Sequence, residues 1–241
     1  MSIKEYSAEL IERKKLTDSV WHLEFESPND FVFEAGQFIS VNIPMADGRK
    51  LKRSYSLAST PKENIEKKRF ALCLKDVGGP GSKYLCNLNL GDKINFIGIM
   101  GAFKIPKDIK DFKRECVFIS TGVGVAPFRG MIPDLLEKGF KKKVVLITGY
   151  RNKGDTIYDN EFNDLGKKYK NFEYQMTLSQ GTEKKKNARV QKLLEAYMDK
   201  NKKFRETEYY LCGLYEMIKE VGALLSKAGV PSENIFYERF D

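Results

Sequence analysis

The sequence predicts two domains, an N-terminal antiparallel β-barrel and a C-terminal Rossmann-like α/β domain with a parallel sheet. From residue 5 to about residue 60, strand patterns follow one another with turns but no helical pattern between them, as in a sandwich or barrel. From residue 116 onward, strand and helix patterns alternate, which is typical of a parallel sheet with right-handed crossovers. The charged segment 107–114 separates the two patterns, so we expect domains over residues 1–112 and 113–241.

In the first domain, the predicted strands cover 19–26, 37–43, 53–59, 70–75 and 93–97, and a short helix covers 83–88. Turn residues such as those at 27–30 and 46–48 separate the first strands. The strand 19–26 alternates apolar and polar residues over most of its length. Its His22, the single histidine of the chain, is therefore expected at the surface.

The strand that begins at Arg53 carries a cation and hydroxyl groups, and a glycine loop over 78–82 precedes the short helix. Arg53, Ser54 and Ser56 could form a pyrophosphate cradle with Gly81 and Ser82. In such a cradle the guanidinium forms paired hydrogen bonds and the helix start offers free N–H groups.

Tyr55 lies two residues from Arg53, on the same face of the strand. Its ring could therefore stack on a flat cofactor that the arginine holds. The alternative interpretation is an ordinary barrel strand with a surface arginine and a half-buried tyrosine.

In the second domain, the predicted strands cover 116–120, 143–149, 172–178, 208–212 and 234–237, and the helices cover 126–138, 158–168, 188–199 and 214–228. The first strand runs into Thr-Gly-Val-Gly-Val-Ala-Pro, residues 121–127. Gly122 and Gly124 would let a ligand approach the backbone, and the helix start behind them favours a phosphate. Plain α/β topology would explain the same turn.

Composition limits the functional classes. The N-terminal residues have no apolar run of a signal peptide, and the apolar stretches are too short to span a membrane. The four cysteines are scattered and form no pattern that would ligate a metal. We therefore expect a cytoplasmic protein with buried reduced thiols, no metal site and no membrane insertion.

The formal net charge of +9 allows two interpretations. One is a lysine-rich solvated surface. The other is a positive face that steers an acidic protein partner or a nucleic acid. Because aromatic residues do not alternate with basic ones in any segment, we expect no nucleic-acid partner.

Taken together, the motifs resemble those of the ferredoxin–NADP reductase superfamily. Residues 53–56 are similar to its Arg-x-Tyr-Ser flavin motif, and 72–75 with 79–86 to its second FAD segment. Residues 121–127 resemble its nicotinamide-nucleotide loop. Residues 211–213 with Met217 resemble its fourth motif, and 238–240 the Glu-x-aromatic ending of some members.

This resemblance implies roles for single residues. Arg53 would pair with the FAD pyrophosphate, Tyr55 would stack on the isoalloxazine, and Ser56 would hydrogen-bond the N5 edge of the flavin. Further FAD contacts are implied for Ser54, Cys73, Leu74, Lys75, Gly79, Gly81, Ser82 and Phe240, the last as a cover of the flavin face. Contacts to NAD(P)H are implied for Thr121, Gly122, Gly124, Pro127, Arg151, Ser179, Arg189, Cys212, Gly213 and Met217. Ser56, Cys212 and Glu238 would serve catalysis, with Glu238 assisting proton transfer.

The chain departs from the family pattern at three points. Gln180 stands where NADPH-preferring members usually carry arginine, although Arg151 and Arg189 match two other family arginines and lysines 184–186 lie near by in sequence. We therefore expect only a slight preference for NADPH over NADH. Asp241 follows the aromatic Phe240. No segment for an iron–sulfur or haem group is present in the sequence.

The resemblance implies an FAD-dependent enzyme of the ferredoxin–NADP reductase type. It would transfer electrons between NAD(P)H and a one-electron carrier, an acidic ferredoxin or flavodoxin, by hydride transfer at flavin N5. Such chemistry depends on the orientation of two rings rather than on a strong base. The alternatives are the reductase component of an oxygenase, a free-flavin reductase and, more remotely, a non-catalytic flavin subunit of a larger complex.

Overall fold

The structure, a computed structural model, describes residues 4–105, 109, 112, 114–180 and 189–240. The chain divides into two compact units. One comprises Met1–Ile105 with Ala126–Asp134, and the other comprises Pro106–Val125 with Leu135–Asp241. The domain boundary between residues 112 and 113 stays a prediction.

The first unit is built on a six-stranded antiparallel sheet with the strand order β4-β3-β6-β1-β2-β5. Its strands are β1 Lys4–Lys15, β2 Val20–Glu26, β3 Phe38–Pro44, β4 Lys50–Ser56, β5 Arg69–Lys75 and β6 Lys93–Met100. The outermost strands β4 and β5 meet where Leu57 bridges to Leu72 and the Ala58 N–H donates to the Ala71 carbonyl at 2.8 Å. The sheet therefore curls toward closure, which confirms the predicted antiparallel barrel.

Phenylalanines fill the interior of this barrel. Phe31 lies 4.9 Å from Phe70 and 5.4 Å from Phe96, measured between ring centroids, and all three side chains are buried. Offset and edge-on ring pairs at this separation add to the free energy of burying the rings. The apolar face of each strand thus packs on this cluster, as the alternating pattern predicts.

Two short helices interrupt the strands. Helix α1, Pro61–Lys67, was not predicted, although Thr60 and Glu63 form a capping box in which each side chain accepts from the other residue's N–H. Helix α2, Pro80–Cys86, begins three residues before the predicted 83–88. Because proline fits the first turn of a helix, α2 starts at Pro80 and contains Gly81 and Ser82.

The predicted surface position of His22 is wrong. This side chain is only 5% exposed, and its Nε2 lies 3.3 Å from Glu24 Oε1. Strand β2 lies between β1 and β5, where Lys14 and Cys73 are the register partners of His22. Neighbouring side chains therefore cover the face that alternation alone assigns to solvent.

The second unit is built on a five-stranded parallel sheet with the order β11-β10-β7-β8-β9. Its strands are β7 Cys116–Thr121, β8 Val144–Tyr150, β9 Phe172–Leu178, β10 Glu208–Gly213 and β11 Ile235–Arg239. The helices that connect these strands are α3 Ala126–Glu137, α4 Asp159–Lys168, α5 Val190–Lys200 and α6 Tyr215–Lys227. The part of α3 from Ala126 to Asp134 is grouped with the first unit. The predicted Rossmann-like sheet is thus confirmed, with element ends within two residues of those expected.

The strand order reverses direction at the centre of this parallel sheet. Strands β7, β8 and β9 follow one another to one side, whereas β10 and β11 lie on the other. In open parallel sheets, ligands bind outside the carboxyl ends of the two strands at such a reversal. The ends of β7 and β10 are therefore the expected binding edge.

The four cysteines are buried and free, as predicted. Over the ranges that the structure describes, no helix is both long enough and apolar enough to cross a membrane.

Candidate functional site

On the first unit, the structure brings Arg53, Tyr55 and Gly81 together. A Cβ added to Gly81 would stand 2.9 Å from Arg53 Cγ and 3.0 Å from the Tyr55 hydroxyl oxygen. The two side chains of β4 therefore lie directly over the first turn of α2, where a larger residue would push them away. The barrel strand and the glycine loop form one surface, as the sequence predicts.

Charge and burial at this surface differ between the two side chains. Arg53 is exposed and its Nη1 donates to the Lys52 carbonyl at 2.9 Å. Within the described part of the chain, no carboxylate forms an ion pair with Arg53. Tyr55 is half-buried, and this burial raises the pKa of its phenol to about 12. A free cation and a neutral ring are thus placed side by side.

The predicted contacts of Ser54 and Ser56 face a geometric constraint. Because side chains alternate along a strand, both serines lie on the face of β4 opposite to Arg53 and Tyr55. Ser54 is exposed and Ser56 is buried. In β5, Cys73 and Leu74 are both buried, Leu74 in the barrel core, and only Lys75 of this segment is exposed.

The Ser82 hydroxyl takes part in the loop before α2. It accepts from the Val77 N–H at 3.3 Å and lies 3.2 Å from Asp76 Oδ1 and 3.1 Å from the Gly79 carbonyl. Asp76 Oδ1 also accepts from the Gly78 N–H at 2.9 Å. These bonds fix the loop, so the hydroxyl has a shaping role, and its predicted contact to the ligand stays a prediction.

Arg13 supports the same helix from its other end, a role that the sequence analysis missed. Its guanidinium donates to the carbonyls of Cys86 at 2.8 Å and Leu88 at 2.7 Å, and it stacks 4.5 Å from the Trp21 ring. A cation on the last carbonyls of a helix satisfies acceptors that have no partner within the helix. Because these contacts span more than 70 residues of sequence, no local motif indicates them.

On the second unit, the turn after β7 packs against the end of β10. Gly122 has a φ of +54° and begins a 3₁₀ turn, Gly122–Val125, that leads into α3 with Pro127 as its second residue. A Cβ on Gly124 would stand 2.3 Å from the Cys212 carbonyl oxygen. These two glycines therefore shape the turn for different reasons, one through its φ angle and the other through lack of space.

Two polar atoms at the end of β7 have no partner among the described residues. Ser120 Oγ and Thr121 Oγ1 are both buried and make no hydrogen bond to any residue in the ranges that the structure describes. A Cβ on Gly213, which has a φ of +142°, would stand 2.8 Å from Thr121 Oγ1 and 3.3 Å from Met217 Cε. Buried polar atoms normally find a partner, so Thr121 Oγ1 is the candidate atom for a hydrogen bond to a ligand at this edge.

Cys212 is fully buried at the end of β10 and pairs in register with Glu238 of β11. Burial, and secondly the nearby Glu238 carboxylate, raise the pKa of the Cys212 thiol well above its usual range. This cysteine is therefore a neutral thiol, not a nucleophile.

The Phe240 N–H donates to the Gly213 carbonyl at 3.1 Å, which fixes the backbone of Phe240 next to the residue that follows Cys212. The Phe240 side chain stays 37% exposed.

The basic residues expected near the nucleotide are only partly brought together. The Gln180 N–H donates to the Arg151 carbonyl at 2.8 Å, and the Ser179 N–H donates to the Tyr150 carbonyl at 2.9 Å. The ends of β8 and β9 are thus adjacent. Arg189 instead lies 3.4 Å from Glu220. Lysines 184–186 and Asp241 lie outside the described residues.

Comparisons with known proteins agree with this geometry. A family model described as "Oxidoreductase FAD-binding domain" matches residues 7–105, and one described as "Oxidoreductase NAD-binding domain" matches residues 118–222. The chain is 30% identical to ferredoxin–NADP reductase B of Sorangium cellulosum over 249 residues, which cover 98% of both proteins. The chain belongs to the ferredoxin–NADP reductase superfamily.

A second relative and one solved structure are also similar to this chain. The reductase is 27% identical to the toluate 1,2-dioxygenase electron transfer component of Pseudomonas putida, with 98% of this chain and 67% of that protein covered. It shares its fold with a ferredoxin–NADP reductase from Neisseria gonorrhoeae with bound FAD and NADP, at a TM-score of 0.83, 19% identity and 99% coverage of both chains. The chain spans as little as 47% of other curated relatives.

The chain is therefore an NAD(P)H-dependent FAD oxidoreductase. The described residues fit both groups. An arginine without a carboxylate partner above a glycine backbone suits an anionic pyrophosphate, and the partnerless Thr121 Oγ1 beside Gly213 suits a polar ring substituent.

Proposed function

We propose that this reductase moves electrons between a nicotinamide nucleotide, NADPH or NADH, and an acidic one-electron carrier protein such as a ferredoxin or flavodoxin. The proposal is carried by the group of residues at the point where the strand order of the parallel sheet reverses. There, Thr121 Oγ1 lies beside Gly213 without a partner among the described residues, and Cys212 is a neutral thiol. Bound FAD would supply the chemistry that links a two-electron hydride donor to a one-electron acceptor.

On the first unit, the proposed roles follow the contacts around Gly81. Arg53 neutralises the pyrophosphate, and the backbone N–H groups of Gly79, Gly81 and Ser82 donate to it. Tyr55 supplies a neutral aromatic face, because its raised pKa keeps the phenol protonated. The remaining proposed FAD contacts are Ser54, Ser56, Cys73, Leu74, Lys75 and Phe240.

On the second unit, the proposed residues orient the nicotinamide and exclude water from it. Thr121 Oγ1 hydrogen-bonds the ring substituent, and Gly122, Gly124 and Pro127 shape the turn. Cys212 and Gly213 line the ring, with Met217 packed behind Gly213. Glu238, in register with Cys212, is the proposed group that holds a proton.

The slight preference for NADPH rests on the end of β8. In dinucleotide-binding sheets, an acidic residue near this point hydrogen-bonds the 2′-hydroxyl of NAD, whereas an arginine accommodates the 2′-phosphate of NADP. Arg151 follows β8 directly and is exposed. We therefore propose Arg151, with Ser179 beside it, as the contact to the 2′-phosphate.

The acidic carrier is proposed from charge. The chain carries a net charge of +9, and opposite net charges raise the association rate at low ionic strength. The chain covers 98% of the relative from Sorangium cellulosum, which is named a ferredoxin–NADP reductase. This similarity supports a ferredoxin as the carrier. The similarity to the toluate dioxygenase component supports a second candidate, the reductase component of an oxygenase.

The proposal is tested by anaerobic stopped-flow reduction of the FAD-loaded protein by NADPH and by NADH, followed by turnover with ferredoxin and flavodoxin at increasing salt. We expect flavin reduction by both nucleotides, somewhat faster with NADPH, and carrier-dependent turnover that falls steeply with salt. No flavin reduction by either nucleotide would contradict the function. Turnover that is independent of salt would contradict the acidic carrier and favour the second candidate.

A further inference from the structure

Arg189 lies at the start of α5, and α5 begins at the carboxyl end of β8. A Cβ on Gly149, in β8, would stand 2.7 Å from Val190 Cγ1. Val190 is buried in the core of the second unit, so this contact fixes the first turn of α5 against the sheet. Arg189, the residue before Val190, is therefore held at the edge of the sheet where β8 ends and Arg151 follows.

The guanidinium of Arg189 is already paired. Its Nη1 lies 3.4 Å from each carboxylate oxygen of Glu220, a residue of α6. The Gln191 side-chain amide donates to the same carboxylate at 2.5 Å. Two donors from the start of α5 thus converge on one acceptor of α6.

The ion pair between Arg189 and Glu220 is accessible to a ligand from solvent. The side chains of Arg189 and Glu220 are 73% and 45% exposed, so the pair is open to solvent. Exposed ion pairs of this kind are weak and break at little cost. A phosphate dianion can therefore compete with Glu220 for Arg189, but it has to displace a carboxylate and remain close to its negative charge.

We propose that Glu220 is a specificity-determining residue that weakens binding of the 2′-phosphorylated nicotinamide nucleotide by occupying Arg189. The inference rests on the proposed function, in which a nucleotide lies along this edge of the sheet. NADH has no 2′-phosphate and needs no such cation. Glu220 therefore reduces affinity for NADPH and leaves affinity for NADH unchanged. This explains why the proposed preference for NADPH over NADH is only slight.

The test compares Glu220→Gln with the wild-type FAD-loaded protein by calorimetric titration with 2′-AMP and with 5′-AMP. Glutamine keeps the shape of the side chain and removes the charge. We expect 2′-AMP to bind about threefold more tightly to the variant, the size set by a weak exposed pair, and 5′-AMP to bind equally to both. The ratio of kcat/KM for NADPH over NADH should rise by the same factor.

Two further variants make the test specific. Glu195→Gln removes an exposed negative charge from α5 and should leave both affinities unchanged. In an Arg189→Gln background, Glu220→Gln should no longer strengthen 2′-AMP binding, because the effect acts through Arg189. An effect that persists in this background would overturn the proposal.

Failure of the inference and failure of the proposed function give different results. If wild type binds 5′-AMP and oxidises NADH but Glu220→Gln leaves the ratio of 2′-AMP to 5′-AMP affinity unchanged, the role of Glu220 is wrong and the function stands. If wild type binds neither compound and neither nucleotide reduces the flavin, the proposed function fails and the inference fails with it.

Discussion

Gly124 lies so close to Cys212 that a Cβ on the glycine would stand 2.3 Å from the cysteine carbonyl oxygen and 2.7 Å from Gly213 Cα. Both of these atoms belong to the backbone, so neither can rotate away from an added side chain. The turn after β7 and the end of β10 therefore fit together only when position 124 is glycine. This contact links the turn to Cys212 and Gly213, two of the proposed nicotinamide residues.

Gly124→Ala should weaken nicotinamide binding without removing FAD. The added methyl group forces the turn and the end of β10 apart, and we expect the rate of flavin reduction by NADPH to fall at least about tenfold. FAD content, measured from the absorbance of the purified protein, should stay at the wild-type value. Gly222→Ala, in α6, is the matched control, because a Cβ there meets nothing within 4 Å. Equal rates for the two variants would contradict the packing argument.

Cys212→Ala should slow hydride transfer and leave FAD binding intact. The side chain is fully buried, and its raised thiol pKa keeps it neutral through the assay range from neutral pH to about pH 9. We expect the rate of flavin reduction to fall about tenfold, because the nicotinamide ring loses a proposed packing contact that orients it. The wild-type rate should show no decline due to thiolate formation as pH rises over that range. An unchanged rate in the variant would reduce Cys212 to a packing residue.

Gly81→Ala should loosen FAD. Its Cβ would stand 2.9 Å from Arg53 Cγ and 3.0 Å from the Tyr55 hydroxyl oxygen, so both side chains have to move from their places over α2. We expect about tenfold weaker FAD affinity, which corresponds to about 1.4 kcal/mol. Gly154→Ala is the control, since a Cβ there meets nothing within 4 Å and Gly154 has no proposed contact to FAD. Measurement of FAD dissociation constants by fluorescence decides between them, and equal constants would remove Gly81 from the cradle.

The fold was predictable because the sequence patterns of the strands differ between the two sheets. Strands β7 and β8 are apolar runs that are buried along their length, as strands with helices on both faces must be. Helix α1 was missed although the spacing of Thr60 and Glu63 indicates a capping box. The early start of α2 was likewise present in the sequence, as Pro80 after Gly79.

The misses at single residues have a different cause. Arg13, His22 and Glu220 take their roles from partners that are distant in sequence or on a neighbouring strand or helix. Alternation along β2 cannot tell which face neighbouring strands cover, and no motif couples α5 to α6. Local patterns therefore predicted which segments form the site but not which side chains are already engaged within it.

Glu24→Gln should remove a pH-dependent part of the stability of the barrel. The hydrogen bond to His22, and after it the bond to Arg69 at 2.7 Å, lower the pKa of Glu24 to about 2 although burial opposes them. Because this value lies below that of an unfolded glutamate, 4.5, the stabilisation is fully present above pH 4.5 and is lost as pH falls toward 2. We expect the variant to lose about 1 kcal/mol at pH 7, a value reduced by solvent screening, and almost nothing near pH 2. Urea unfolding at several pH values measures this difference. Glu5→Gln is the control, because Glu5 is exposed on β1 and has no ion pair among the described residues, and it should show no such dependence. If Glu24→Gln lost the same free energy of unfolding from pH 7 to pH 2, the electrostatic cause would be wrong.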